Sequence, residues 1–216
     1  LCLAHLAEVA WEANKPVLVR KRPSLEDKEL ETLFCDISPW DAEGVGFRLH
    51  HTRKNDALLV MSGGASPHIS DSDTMMPGWP MARIWPVAEN PESTKAEQTA
   101  KALNAYLGHC HKVLMNHDVN RRRIARQLPP ANFLATQRCG RRVTQQPFQD
   151  KWGMAGMVIS SGSVYGGLAK ELGLTFARVQ DSADPAQDLR DRIRMALDDS
   201  THDFIHVHTK MPDEAA

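Results

Sequence analysis

The stretch Asp203–Ala216, DFIHVHTKMPDEAA, decides how the fold is read. Phe204–Thr209 is rich in apolar and β-branched residues and lies between Asp203 and Met211-Pro212, which predicts a short strand. Proline has no N–H to give to a sheet ladder, so the strand stops by Pro212. Side chains alternate along a strand, which puts Phe204, His206 and His208 on one face and Ile205 and Val207 on the other. Paired histidines can bind a metal or hydrogen-bond within a polar cleft. In open α/β sheets, ligands sit beyond the carboxyl ends of strands. Lys210, Asp213 and Glu214, with His208 beside them, are therefore candidates for chemistry.

Reading backward, the pattern is regular from Ala155. Met157–Ser160 is a strand, Ser161-Gly162-Ser163 turns into a helix ending near Leu172, and Gly173 stands at its C′ position. Thr175–Val179 is a second strand. Asp184 caps the next helix with Pro185 at its first position, and Leu189, Ile193, Ala196 and Leu197 form its apolar stripe. With the opening strand this makes a β-α-β-α-β unit, which implies a parallel sheet. The turn Ser160–Gly167 has glycines at 162, 166 and 167, which is not the dinucleotide fingerprint, although Asp181 echoes a ribose-binding acid.

The first two-thirds of the chain predicts a strand at Lys15–Arg20, a short helix at Glu26–Leu33, and strands at Gly46–His51 and Asp56–Ser62. Ala57–Met61 is nearly all apolar, which suggests burial on both faces. Ser66–Pro80 reads as a loop carrying Asp71 and Asp73. Thr94–Leu114 is the best helix: apolar residues recur at steps of three and four, and Thr94 with Glu97 reads as a capping box. His109 and His111 lie on different faces of it and read as ordinary helix residues. Asn120–Leu128 carries Arg121, Arg122, Arg123 and Arg126 and reads mostly as a solvated basic face. Asn132–Thr136 is a strand followed by Arg138, Arg141 and Arg142. Arginine presents a planar fork of donors suited to phosphate and carboxylate oxygens, which makes Arg138, beside Gly140, a candidate anion contact. The fold class is therefore α/β: a mixed sheet flanked by helices, with a C-terminal β-α-β-α-β unit.

Composition narrows the classes. The 216 residues carry a formal net charge of -1, with 42% hydrophobic and 25% charged residues. That gives no general attraction to nucleic acid or membrane. No apolar run approaches the roughly 18 residues needed to span a bilayer. The N-terminal LCLAHLAEVAWEANK lacks the basic start of a signal peptide. Cys2, Cys35, Cys110 and Cys139 form no CxxC and fit reduced thiols in a cytoplasm. The chain starts at Leu1 and ends inside what reads as a site, so a piece of a longer protein is expected.

Four segments taken in order resemble the archaeal-type cofactor-independent phosphoglycerate mutases of the alkaline phosphatase superfamily. They are MSGGASPHISDSD (Met61–Asp73), NHDVNRRRIARQLPPANFLATQRCG (Asn116–Gly140), QPFQDKWGMAGMVISSGSVYGGLAKELGL (Gln146–Leu174) and HDFIHVHTKMPDEAA (His202–Ala216). The resemblance implies interconversion of 3-phosphoglycerate and 2-phosphoglycerate through a phosphoserine enzyme. It implies two divalent metal ions, manganese first with magnesium or zinc as alternatives, and a small phosphorylated substrate held by an inserted basic domain. Asp213 matches a metal-ligand aspartate in a motif that reads roughly PDEAGH, with Ala216 where the family has glycine. Arg138 matches the arginine of the turn after the PAN strand, here QRCG. Asp71 and Asp73 match an I-x-D-x-D loop, although Thr74-Met75 replaces its following Pro-His. Lys210 and His208 are further cleft-lining candidates. The Asp-Gly segment, the serine in its expected setting and the later Asp-His pair have no match, so no catalytic residue is expected here and the chain alone is expected to be inactive. The expected organisation is a poorly matched segment 1–50, an inserted substrate-facing domain 51–202, and a strand 203–216 returning to the phosphatase core. Alternatives are another phosphomonoesterase or phosphonate-cleaving enzyme of that superfamily, and a non-catalytic anion-binding module built on Arg121–Arg142 and Ser160–Gly167.

Overall fold

The structure, a computed structural model, describes residues 1–89 and 91–210. It forms two compact units, Leu1–Arg141 and Arg142–Ala216.

The first unit is built on a strand that the sequence pattern did not announce. Strand β1 (Cys2–Glu12) pairs antiparallel with β2 (Lys15–Lys21), β5 (Asp56–Met61) and β6 (Phe133–Gln137). Strands β3 (Trp40–Ala42) and β4 (Val45–Arg53) complete a six-stranded sheet beyond β5. Residues 1–50 thus supply β1–β3 and most of β4, and position 50 falls inside a strand. Strand β1 is nearly continuously buried from Cys2 to Val9, so it shows neither the alternation of a half-buried strand nor turn residues at its start. The reverse holds for β5. There Ala57 and Leu59 are buried while Val60 is exposed, so the strand is covered on one face, contrary to the two-faced expectation.

Helices α1 (Asp27–Asp36) and α2 (Ser93–Met115) cover the sheet, with Leu30, Leu33, Leu103, Tyr106 and Leu107 in a common core with Leu6, Phe47 and Leu59. The expected capping box at Thr94 is absent. The N-cap is Glu92, which makes no side-chain cap bond, and the true capping box belongs to α1, where Glu26 and Glu29 satisfy each other's backbone amides. His111 bonds Trp11 at 2.8 Å and the Asn132 carbonyl at 2.8 Å, and His109 stacks on Trp40. Both are packing residues of α2. Helix α3 (Asp118–Ala125) is basic but not wholly solvated: Arg123 is buried, with Nη1 2.6 Å from Glu29 and Nε bonding the Pro129 carbonyl.

The second unit follows the predicted order, after the short helix α4 (Phe148–Trp152). Strand β7 (Gly156–Ser160) lies between β8 (Thr175–Arg178) and β9 (Phe204–Val207), and both neighbours run parallel to it. Helix α5 (Ser163–Leu172) ends on Gly173 at φ 68, a left-handed conformation that glycine adopts without steric cost. Helix α6 (Pro185–Asp198) begins on Asp184, whose carboxylate accepts from the amides of Ala186 and Gln187. Its apolar stripe is not a core face. Leu189, Ile193 and Leu197 are exposed, and the helix is seated through buried Asp188 and Arg192 instead. Among the described residues, no helix is long and apolar enough to cross a membrane.

Candidate functional site

The residues singled out from the sequence fall into two groups, one in each unit. In the first unit, Asp71, Asp73 and Arg138 come together where the 66–80 loop crosses the end of β6. The backbone amides of Ser72 and Asp73 both donate to the Thr136 carbonyl, at 2.9 and 3.2 Å. The Ser72 hydroxyl accepts from the Thr136 amide at 2.8 Å. These bonds dock the loop on the strand and turn two neighbouring carboxylates in opposite directions.

Asp71 stays exposed and accepts the Arg138 backbone amide at 2.7 Å. Arg138 takes φ 56, a left-handed conformation uncommon for a residue with a side chain. The Asp71 bond holds that strained turn and fixes where the arginine leaves the strand. The Arg138 side chain is exposed, and among the described residues no carboxylate pairs with it. Arg141 and Arg142, its basic neighbours, are each committed to a partner: Arg141 to Glu92 at 3.1 Å and Arg142 to Glu171 at 3.0 Å.

Asp73 turns inward. Its side chain is fully buried, accepts the Met75 amide at 2.8 Å, and lies 3.1 Å from Lys21 Nζ and 3.7 Å from His5 Nε2. Burial would raise its carboxyl, but the Met75 amide, Lys21 and His5 outweigh that and hold it below the usual carboxylate value. His5, 1% exposed, has no hydrogen-bond partner at either ring nitrogen. Burial, reinforced by the charge of Arg22, pushes its imidazole down to about 4. His5 and Lys21 had no signal in the sequence: each lies in a strand far from the loop it supports.

In the second unit, His208 and Lys210 follow β9. The His208 ring stacks on Tyr165 at 3.7 Å, with Nδ1 3.4 Å from the Ser160 hydroxyl, and the Lys210 side chain lies against Gly162 at the start of α5. His206, on the same strand face, also stacks on Tyr165. The polypeptide after β9 is held by Arg192. Its Nη1 donates to the His208 carbonyl at 2.7 Å, its Nε and Nη2 grip Asp188 at 2.7 and 2.9 Å, and Nη2 reaches Asp181 at 2.8 Å. Thr209 adds a hydroxyl to Asp188 at 2.8 Å. Asp181 is thus a structural ion-pair partner rather than a ribose contact. Arg192 and Asp188 were missed because they sit on the face of α6 that the apolar stripe had seemed to make the outer one. Asp213 and Glu214 lie outside the described residues. Among the described residues, no three His, Cys, Asp or Glu side chains converge on a metal-sized site.

Residues 2–120 match the family model described as 2,3-bisphosphoglycerate-independent phosphoglycerate mutase. The chain is similar to 2,3-bisphosphoglycerate-independent phosphoglycerate mutase 2 of Methanocaldococcus jannaschii, 34% identical over 207 residues, covering 93% of this chain and 46% of the relative. It is 30% identical over 176 residues to the corresponding mutase of Methanopyrus kandleri, covering 79% of this chain and 40% of the relative. The solved cofactor-independent phosphoglycerate mutase of Thermoplasma acidophilum superposes with a TM-score of 0.58 at 29% identity, over 95% of this chain and 54% of that one. The chain spans about half the length of the curated relatives it matches.

Proposed function

The chain belongs to the 2,3-bisphosphoglycerate-independent phosphoglycerate mutases, and on that premise we propose that it is the substrate-holding part of an enzyme that interconverts 3-phosphoglycerate and 2-phosphoglycerate. The observation that carries this is Arg138. Its guanidinium is exposed beyond the end of β6, its backbone is pinned by Asp71, and the arginines that follow it are already paired. A forked cation on a fixed stalk suits a carboxylate or phosphate oxygen. Asp71 acts as its positioning residue, and Asp73 supports the loop from beneath.

In the second unit, His208 and Lys210 carry the second part of the reading, with Asp213 assigned by its match to the family motif: an imidazole, a cation and a metal-ligand carboxylate that would serve the phosphatase core. In the whole enzyme, two divalent ions, manganese foremost, would supply the charge neutralisation that phosphoryl transfer needs. The residues described here contribute anion binding and placement. The reaction runs through a serine phosphoenzyme in the remainder of the polypeptide, in a cytoplasmic, glycolytic or gluconeogenic setting.

Because the chain spans about half of its relatives, it turns over no phosphoglycerate on its own. Purified chain assayed with 3-phosphoglycerate and manganese, coupled to enolase, gives background rates; turnover above background refutes this division of labour. In the full-length protein, Arg138→Ala lowers kcat/KM by about 10²-fold or more, the loss of one charge-assisted contact to a transferring group. An Arg138→Ala protein with unchanged kcat/KM removes Arg138 from the site.

A further inference from the structure

The four cysteines look unrelated in the sequence, but the fold brings two of them together next to Arg138. The Leu1 nitrogen donates to the Gly140 carbonyl at 2.9 Å, and the Gly140 amide donates to the Leu1 carbonyl at 2.8 Å. Two residues along β1, Leu3 is opposite Gln137. Between these two rungs β1 has one residue, Cys2, and the facing segment has two, Arg138 and Cys139. This is a β-bulge, and the positive φ of Arg138 belongs to it. Facing residues in an antiparallel pair have Cα atoms about 4.5–5.5 Å apart, within the roughly 4.4–6.8 Å that a disulfide spans.

The side chains meet as this register requires. Cys2 is fully buried, Cys139 is half-buried, and both pack into the core of the first unit. Interaction with Cys139, with burial adding to the effect, raises the Cys2 thiol, and interaction with Cys2 lowers the Cys139 thiol. The pair is therefore asymmetric: Cys139 is the partly exposed member, with its thiol shifted toward easier ionisation, and Cys2 is fully buried across the bulge from it. Cys35 is exposed in α1, and Cys110 is buried in α2.

We propose that Cys2 and Cys139 are a modification site, closing a reversible disulfide across the β1–β6 bulge when the protein meets a hydroperoxide. The Cys139 thiolate attacks the outer peroxide oxygen, breaking the O–O bond; Cys139 becomes a sulfenic acid and the other oxygen leaves as hydroxide or alkoxide, which takes a proton from water. The Cys2 thiol then attacks the Cys139 sulfur, forming the S–S bond and releasing water. The two thiols lose two electrons and the peroxide gains two. The facing register of the partly exposed Cys139 and the buried Cys2 lets both steps proceed without a large backbone movement. The bond would sit one residue from Arg138 and tie that turn covalently to β1. The site stands whatever anion Arg138 binds.

The test uses the protein carrying Cys35→Ser, which removes the exposed competing thiol. Treated with equimolar hydrogen peroxide and digested without reductant, it yields a cross-linked peptide pair joining Cys2 to Cys139, with two hydrogens lost from the intact mass, both reversed by dithiothreitol. In the same background Cys2→Ser leaves Cys139 as a sulfenic acid that dimedone traps. Over-oxidation of Cys139 to sulfinic acid, or no oxidation at Cys139, without the cross-link in the Cys35→Ser protein overturns the proposal. That readout stands even if the Cys2→Ser variant fails to fold.

Discussion

Replacing Arg192 with methionine should cripple the second unit while leaving the first intact. The side chain is 2% exposed and makes four bonds. Two go to Asp188, which is equally buried, one to Asp181, and one to the His208 carbonyl just past β9. Methionine keeps much of the volume but leaves the Asp188 carboxylate without its counter-charge in a dry site. Breaking a buried pair from one side costs about 3–5 kcal/mol. A unit of this size has roughly 4–11 kcal/mol in total, so the loss takes much of its stability. Amide exchange in β7 and β9 should accelerate roughly 10²- to 10⁴-fold, at about 1.4 kcal/mol per decade, while β1 and β6 keep their protection.

The same pair sets a pH signature. Arg192 holds the Asp188 carboxyl down at about 2, against an ordinary value of 3.8. A depressed carboxyl contributes stability that is present above its unfolded value and lost as pH falls through the folded one. In Arg192→Met that contribution shrinks, because burial then works against the charged acid with only the Thr209 hydroxyl and the Ser182 amide left to oppose it. The gap between parent and variant is therefore widest near neutrality and narrows on acidification. The double variant Asp188→Leu with Arg192→Met removes both charges and should recover part of the loss, the remainder reflecting the His208 carbonyl and the Thr209 hydroxyl left without their partners. If Arg192→Met alone shifts exchange in β9 by less than about fivefold, under 1 kcal/mol, the network does not hold the end of β9 and the argument fails.

Other consequences are as direct. His5 titrates near 6.5 when unfolded and at about 4 in place, so the unfolded chain takes up its proton first. The first unit should lose about 3 kcal/mol as pH falls from 6.5 to 4, and His5→Leu should flatten that slope in urea titrations; an unchanged slope would assign the acid sensitivity elsewhere. Gly63 has φ +77, and an added Cβ would overlap the Gly44 carbonyl oxygen. Gly63→Ala should therefore cost about 2 kcal/mol or more in urea unfolding, and a loss below 0.5 kcal/mol would mean that the turn relaxes freely. Asp184→Ala removes the carboxylate that accepts two amides at the start of α6, and should lower the stability of the second unit by about 1 kcal/mol.

The second unit was legible because its signals are local. Glycine at 173, aspartate at 184 and proline at 185 mark helix ends within a few residues of the elements they bound, and the structure has each in that role. The first unit was less legible because its organising strand takes two of its three partners, β5 and β6, from distant parts of the chain. A strand buried along most of its length shows no period of two, and nothing in Cys2–Glu12 distinguishes it from a segment of helix. The α6 stripe misled for a related reason. Periodicity shows that a helix has two faces, but the inward face is settled by what the strand ends need, and here the end of β9 needs a buried arginine.

The candidate site divides along the same line. Arg138 could be singled out as a candidate because an arginine directly after a strand is a local pattern. Its anchor could not, since Asp71 lies 67 residues away and acts through the backbone of Arg138. Nor does the spacing of Asp71 and Asp73 reveal that they part company. In an extended loop, residues two apart point the same way, which would make them a pair of carboxylates facing one ligand. The double docking of Ser72 and Asp73 on the Thr136 carbonyl breaks that alternation, leaving one acid exposed at the surface and burying the other against Lys21 and His5. The two acids therefore carry separable duties. Loss of Asp71 should loosen the placement of Arg138 with little effect on stability, whereas loss of Asp73 should destabilise the first unit before it touches any ligand.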